Sequence, residues 1–187
     1  MRYQKRQTKT AAGDYEILSL TRAKSYLYIT GTSQDDVITD LINGAVAYLE
    51  QSLDFIIDTD SDCYQFYDAF PAESYLPIWH RFITDDGCHV HYWNGTAWTE
   101  FSTASYRVDN ASVPCKIILK DGYSWPTLTV SDLNAVRVTF VPDTSVSFYN
   151  DLNAAIMTLV AARYETREAA EIPSIVKAFI DRHRIPG

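Results

Sequence analysis

Glycine is scarce. The 187 residues hold seven glycines, none of them in a Gly-x-Gly-x-x-Gly or Gly-x-x-x-x-Gly-Lys arrangement, so no phosphate-cradling loop is available. No Gly-x-Ser-x-Gly turn occurs, and no cysteine stands in a catalytic motif. The carboxylates are many but scattered, and no pair of them marks a glycosidase. Together these absences exclude the common catalytic constellations, so neither an enzymatic activity nor a cofactor is expected. Cysteine is also rare. Cys63, Cys88 and Cys115 are an odd, scattered set that reads as reduced thiols, not as a disulfide framework. No run of 18 apolar residues exists, so no membrane span is expected. Arg2, Lys5 and Arg6 have no apolar stretch behind them, so no secretory leader is expected either. There is no internal repeat and no low-complexity segment.

What is present is aromatic. Thirteen Tyr, eight Phe and four Trp gather mostly in the middle of the chain, a composition that suits β-structure or an adhesive surface. Apolar residues at 47% and charged residues at 21% are ordinary for a globular protein. A chain of this length buries about 70% of its unfolded surface without needing disulfides. The net charge of −8 is uneven: residues 1–10 carry four basic groups and no acidic one, and residues 11–162 carry 20 acidic and 7 basic groups. An acidic body disfavours binding that tracks phosphates, because such affinity comes from Lys and Arg. It remains compatible with DNA passing by without adhering.

Hydrophobic period divides the chain into three zones. Ser19 caps a short helix over Arg22–Tyr28, which Gly31 stops. Ser33 with Asp36 is a variant of the capping box. After it Val37, Ile38, Leu41, Ile42, Ala45, Tyr48, Leu49 and Leu53 follow the i, i+3, i+4 stripe of an amphipathic helix. Residues 54–148 instead alternate, punctuated by Asp, Gly and Pro. Strands are expected at Cys63–Tyr67, Ile78–Thr84, Cys88–Trp93, Ala97–Phe101, Tyr106–Val108, Lys116–Leu119 and Val136–Val141. Asn94-Gly95 signals a type I′ hairpin. A helical period returns after Asn150 or Asp151, and Pro173 is placed to open a last helix. The expected fold is α+β: a helical bundle built from both ends of the chain (18–53 and 149–187), a β-rich insertion at 54–148, and a flexible basic leader at 1–17. Neither helical zone can bury its stripe alone.

Three clusters invite functional readings. His89 and His91 share one strand face, with His80 on a neighbouring strand as a third imidazole. No fourth ligand is evident, so two surface histidines are favoured over a metal, and no metal is expected. Asp54, Asp58, Asp60 and Asp62 lack the mid-loop glycine and terminal Glu of a calcium loop and read as a solvated acidic loop. Tyr92, Trp93 and Trp98 surround the hairpin tip as a candidate docking platform for a sugar or a protein, against the plainer reading that half of them face a sheet core. Arg163, Arg167, Arg182 and Arg184 gather near the end of the chain. A solvated face is the default for them; basic ends on an acidic body also invite head-to-tail contact in a ring.

The order of motifs resembles the head–tail connector (adaptor) proteins of tailed phages. The segment Leu18-Ser-Leu-Thr-Arg-Ala-Lys-Ser-Tyr-Leu-Tyr-Ile29, the acidic Asp35-Asp36 and the long helix to Tyr48-Leu-Glu50 resemble that family's opening helices. Tyr106-Arg-Val-Asp109, Pro114 through Leu119, Ser124-Trp-Pro126 and Val136-Arg-Val-Thr-Phe140 resemble its members with a β-rich insertion. Leu152 to Arg167, with Tyr164-Glu165 and Arg167-Glu168, then Ile172-Pro173, resemble its end. After Phe140 the chain departs, carrying Val141-Pro142-Asp143-Thr144 where the family has a Gly-Tyr turn.

The resemblance implies a virion protein of the head–tail interface, assembled in the host cytoplasm. It would form a homo-oligomeric ring, often dodecameric, below the portal protein, with a neck or tail-completion protein on its other side. DNA would pass through without sequence-specific binding, and no membrane, cofactor or catalysis is implied. The free protein can be a monomer whose ring forms on the portal template. The last helix, with Ile175, Val176, Phe179, Ile180 and the basic Arg182 and Arg184, is then the candidate portal or subunit interface, with Arg163 and Arg167 beside it. The alternative is a β-domain binding module, glycan-binding or tail-associated, acting through the aromatic hairpin.

Overall fold

The computed structural model describes residues 7–9, 17–54, 56–57, 63–84, 86–128, 133–143, 147–166 and 171–185. Among them are four helices and eight strands, a mixed α+β architecture as the hydrophobic periods imply. The chain divides into two compact units, Gly13–Ile57 with Thr144–Gly187, and Met1–Ala12 with Asp58–Asp143.

The first unit is helical. Helix α1 (Leu20–Tyr26) is capped as expected, the Ser19 hydroxyl accepting from the Arg22 N–H at 3.3 Å. It ends sooner than expected. Tyr28, not Gly31, takes the first left-handed conformation, at φ 55°, which costs a non-glycine residue about 1–2 kcal/mol. Lys24 holds the following turn in place: its ammonium donates to the Gly31 carbonyl and to the Asp35 carboxylate, each at 2.5 Å. Helix α2 (Asp35–Leu53) has Gln34 at its N-cap with no side-chain capping bond, so the expected Ser33 box does not form. The Lys24 bridge and the acidic first turn, Asp35 and Asp36, take its place at the positive end of the helix.

Ile38, Ile42, Ala45, Val46, Leu49 and Leu53 are buried along α2, while Val37 is half exposed. They meet helix α3 (Phe148–Thr166), which buries Leu152, Ala155, Ile156, Leu159 and Val160. Each large aliphatic side chain so buried contributes about 1.5–3 kcal/mol. Helix α3 starts two residues ahead of the expected Asn150, because Phe148 and Tyr149 are themselves buried, in edge-to-face contact at 5.2 Å. Packing outweighs capping preference there. Helix α4 (Ser174–His183) has Pro173 as its N-cap instead of its first residue, and no helix in the described residues is long and apolar enough to cross a membrane.

The second unit is β-rich. Strands β1 (Gln7–Lys9), β2 (Cys63–Tyr67), β4 (His89–Trp93), β5 (Trp98–Phe101) and β8 (Val136–Phe140) form one antiparallel sheet in the order β1-β2-β8-β4-β5. Strands β3 (Tyr75–Ile78), β6 (Tyr106–Asp109) and β7 (Cys115–Leu119) form another, in the order β3-β7-β6. The segment read from sequence as a flexible leader thus contributes a strand, Gln7–Lys9 pairing with Cys63–Gln65. A three-residue polar strand has no periodicity to read, and it exists only because β2 offers an edge. The other leader residues, 1–6 and 10–16, lie outside the described residues.

Alternation in β8 puts Val136, Val138 and Phe140 on one wholly buried face, with Cys63, Gln65 and Tyr67 of β2 beside them. Gln65 joins the two sheets. Its carbonyl oxygen accepts the Trp79 N–H at 2.9 Å, and its amide donates to the Tyr67 hydroxyl at 2.6 Å, which donates in turn to the Pro77 carbonyl. That bond explains why the expected strand at Ile78–Thr84 fails: β3 stops at Ile78 because the Trp79 N–H turns to a side chain, leaving Ile83 with a lone bridge to Pro142. Cys63, Cys88 and Cys115 are free and buried. Burial pushes the Cys115 thiol up to about 12, and does the same to the Tyr106 phenol, which donates to the Cys88 carbonyl.

The hairpin at Asn94-Gly95 is not a two-residue type I′ turn. Four residues separate Trp93 from Trp98. The Asn94 carboxamide oxygen accepts from the N–H groups of Thr96 and Ala97, both at 2.9 Å, and Gly95 alone takes positive φ. Asn94 builds the turn with its side chain as well as its backbone N–H, which donates to the Ala97 carbonyl at 3.1 Å.

Gly87 is crowded. A Cβ there would sit 2.3 Å from Thr84 Oγ1 and 3.0 Å from Val141 Cβ. Gly87→Ala is therefore expected to lower stability by about 1–3 kcal/mol, read as a shifted denaturation midpoint at unchanged slope.

Candidate functional site

Strand alternation gives the five-stranded sheet a second face, opposite the core. The registers align Phe66, Arg137, His91 and Glu100 in one row across β2, β8, β4 and β5. Tyr64, Thr139 and His89 form the next row, and Trp93 and Trp98 close the face at the hairpin end. The aromatic rings engage one another here. Trp93 and Trp98 meet edge to face at 5.8 Å, and Trp98 meets Phe66 at 6.5 Å. The Arg137 guanidinium lies 4.7 Å from the Trp98 ring centre and 5.5 Å from that of Tyr64.

Of the three residues expected at the hairpin, Trp93 and Trp98 share this face. Tyr92 does not, because it pairs with Val136 on the core side and packs against Phe70 at 6.3 Å. Arg137, Tyr64 and Phe66 belong to the face and were missed by sequence reasoning. They lie on strands far from the hairpin in sequence, and only register brings them there.

The imidazoles are dispersed. His89 and His91 stand on the outer face, with His89 Nδ1 2.8 Å from a Glu100 carboxylate oxygen. His80 is wholly buried on the core side, its ring 5.5 Å from Phe140 and its Nδ1 accepting the Phe82 N–H. Among the described residues no group of three or more His, Cys, Asp or Glu side chains could hold a metal ion. Burial first, and then the Arg137 charge, hold the His91 imidazole below its usual range, so it stays neutral further into acid. Its Nδ1 and the Arg137 Nε are enclosed without a hydrogen-bond partner among the described residues. The face therefore combines flat rings with a cation seated among them. Of the acidic loop, Asp58, Asp60 and Asp62 lie outside the described residues.

In the helical unit the last helix splits its apolar residues. Val176 is wholly buried and Phe179 nearly so, stacked on Phe148 at 5.5 Å. Ile180 is half-buried, and Ile185 beyond the helix is buried. Ile175 alone faces out, 67% exposed, together with Arg182 and Arg184. Ile175 borders a groove of about 280 Å³ between α3 and α4, lined with Ala154, Ala155 and Ala178, with Asp151 from α3 and Arg182 from α4 on its two sides. Arg163 is not part of this surface; its guanidinium lies over the Tyr48 ring of α2 at 5.7 Å. Arg167 lies outside the described residues. So the structure brings Ile175 and Arg182 together, and commits Val176 and Phe179 to the core.

No protein-family model matches the chain, and no curated protein matches its sequence. Solved structures do match in fold. A chain of "Neck of empty GTA particle computed with C6 symmetry" aligns with a TM-score of 0.76 at 17% identity, over 97% of this chain and 96% of that one. A chain of "Neck of native GTA particle computed with C12 symmetry" gives 0.75 at 17% identity, and one of "Virion of native gene transfer agent (GTA) particle" gives 0.74 at 18%, over the same shares of both chains. The chain therefore has the fold of neck chains of a phage-like particle along nearly its whole length.

Proposed function

We propose that this chain is a structural head–tail connector, a ring-forming adaptor in the neck of a tailed-phage or phage-like particle. The observation that carries the reading is the end-to-end fold likeness to neck chains, with 97% of this chain and 96% of theirs in register. A likeness confined to the helices or to the sheets would speak only for a common module. The order of motifs from Leu18 to Pro173 supports the same reading independently of the coordinates. In this role the ring sits below the portal protein, meets a neck or tail-completion protein on its far side, and belongs to the virion after assembly in the host cytoplasm.

The chemistry suits a conduit. Net charge is −8, and Asp36, Asp40, Glu73, Asp86, Asp121 and Glu165 are exposed. Carboxylates along a channel wall let a polyanion slide because they neutralise none of its phosphates and so displace none of its counterions. The outer face of the five-stranded sheet is the docking surface for the next neck component. A glycan fits it less well, since Arg137 already covers the Trp98 ring.

The test is reconstitution. The purified protein, mixed with the portal protein encoded in the same gene cluster, is expected to co-elute with it and to appear as an added ring in electron micrographs. Separate elution at micromolar concentrations of both, with no ring on portal particles, sinks the reading.

A further inference from the structure

Tyr28 is an anomaly that the helical unit does not explain. Its side chain is 95% exposed, and its backbone holds a left-handed conformation that an aromatic residue rarely adopts. The turn that presents it is nonetheless well ordered by bonds. The Tyr28 N–H donates to Ser25, the Ile29 N–H to the Lys24 carbonyl, and Lys24 ties Gly31 to Asp35. A strained backbone braced in this way, carrying a ring into solvent, is a built protrusion.

The same unit carries a socket at another place. Tyr28 stands beside Met157, Ala161 and Tyr164 of α3. The α3–α4 groove opens beside Asp151, Ala154 and Thr158, about 10 Å away along the helix axis and about a quarter turn round it. Ala154, Ala155 and Ala178 leave room for a flat ring beside Phe179 and His183, and the exposed Ile175 supplies an apolar border. Charges match as well. The protrusion is flanked by Arg22 on α1 and Glu165 on α3, and the groove by Asp151 on α3 and Arg182 on α4.

We infer that Tyr28 of one copy seats in the α3–α4 groove of the next copy of this chain. Its ring lies against Ala154, Ala178 and Ile175, with Arg22 facing the neighbour's Asp151 and Glu165 its Arg182. A protrusion and a socket at different places on one protomer make a head-to-tail contact, which closes into a ring or runs on as a filament. The inference rests on the ring reading above and assigns its subunit contact.

The test uses the full chain. Cys63, Cys88 and Cys115 are buried and do not compete for a thiol-reactive linker. Copies carrying Tyr28→Cys mixed with copies carrying Ala154→Cys, treated with a short bis-maleimide at high protein concentration, are expected to give a mixed dimer. Each variant alone should give none, and the double variant should give a ladder. Homodimers from either single variant, or no ladder from the double variant, overturn the contact. Tyr28→Gly supplies the second measurement. Glycine accepts this backbone without strain, so thermal stability should hold or rise while the concentration needed for assembly rises at least tenfold. Rings that form normally with Tyr28→Gly overturn the contact and leave the connector reading standing. A ladder without rings, with portal present, does the reverse.

Discussion

Val176→Asp is expected to destabilise the helical unit by upwards of about 3 kcal/mol, whereas Ile175→Asp, one residue earlier, changes stability by no more than about 0.5 kcal/mol. Val176 is wholly buried and Ile175 is 67% exposed. A carboxylate at 176 would be withdrawn from water, and must either remain charged in a poor medium or take up a proton at neutral pH. Both routes cost free energy on the scale of the total stability of a small unit, about 5–15 kcal/mol. At 175 the same carboxylate reaches water. Equilibrium urea denaturation of both variants, followed by helical circular dichroism, decides the matter. Equal midpoints would mean that the burial assigned to α4 is wrong.

The pair also separates stability from assembly. A deletion of the last helix, which from sequence alone looks like removal of an interface, would strip Val176, Phe179 and Ile185 from the core and unfold the unit. Ile175→Asp keeps the core and alters only the groove, so loss of ring formation in that variant can be assigned to the surface.

Phe140→Ala is expected to cost about 3–5 kcal/mol, the largest effect in the β-rich unit. The ring is wholly buried on the central strand β8, between β2 and β4, and lies 5.5 Å from the buried His80. Strands on both sides are held in register, so the walls cannot close on the space left behind, and the cavity term adds to the lost transfer energy. Thr139→Ala, on the outer face of the same strand, serves as the control and should cost less than about 1 kcal/mol. A shift for Phe140→Ala no larger than that of the control would mean that the core face of β8 has been misassigned.

Sequence reading was strongest where period and burial coincide. The stripe from Ile38 to Leu53 and the alternation of Val136, Val138 and Phe140 needed no coordinates, because one buried face repeated over several turns or pleats leaves no other assignment. It failed where a single tertiary bond overrides local preference. Gln65 draws the Trp79 N–H out of a strand, Lys24 replaces a serine cap, and the Asn94 side chain converts an expected two-residue turn into a four-residue loop. None of these partners is adjacent in sequence to the feature it changes, except Asn94, whose two competing ways of making a turn the sequence cannot rank.

The candidate sites divide in the same way. That the chain lacks a nucleotide loop, a nucleophile motif and a membrane-length apolar run was settled by residues alone, since such features are local and their absence is complete. Which side of each element a residue occupies was not. Tyr92 and Trp93 are neighbours in sequence and lie on opposite faces; Val176 and Ile175 are neighbours and lie on opposite sides of the solvent boundary. Composition and period determine that there are helices, that there are strands, and that both must bury a face. Only the tertiary structure, through strand register and the rotation of α4 against α3, decides which side chains remain outside to meet another molecule. The reason is that those choices depend on contacts between segments far apart along the chain.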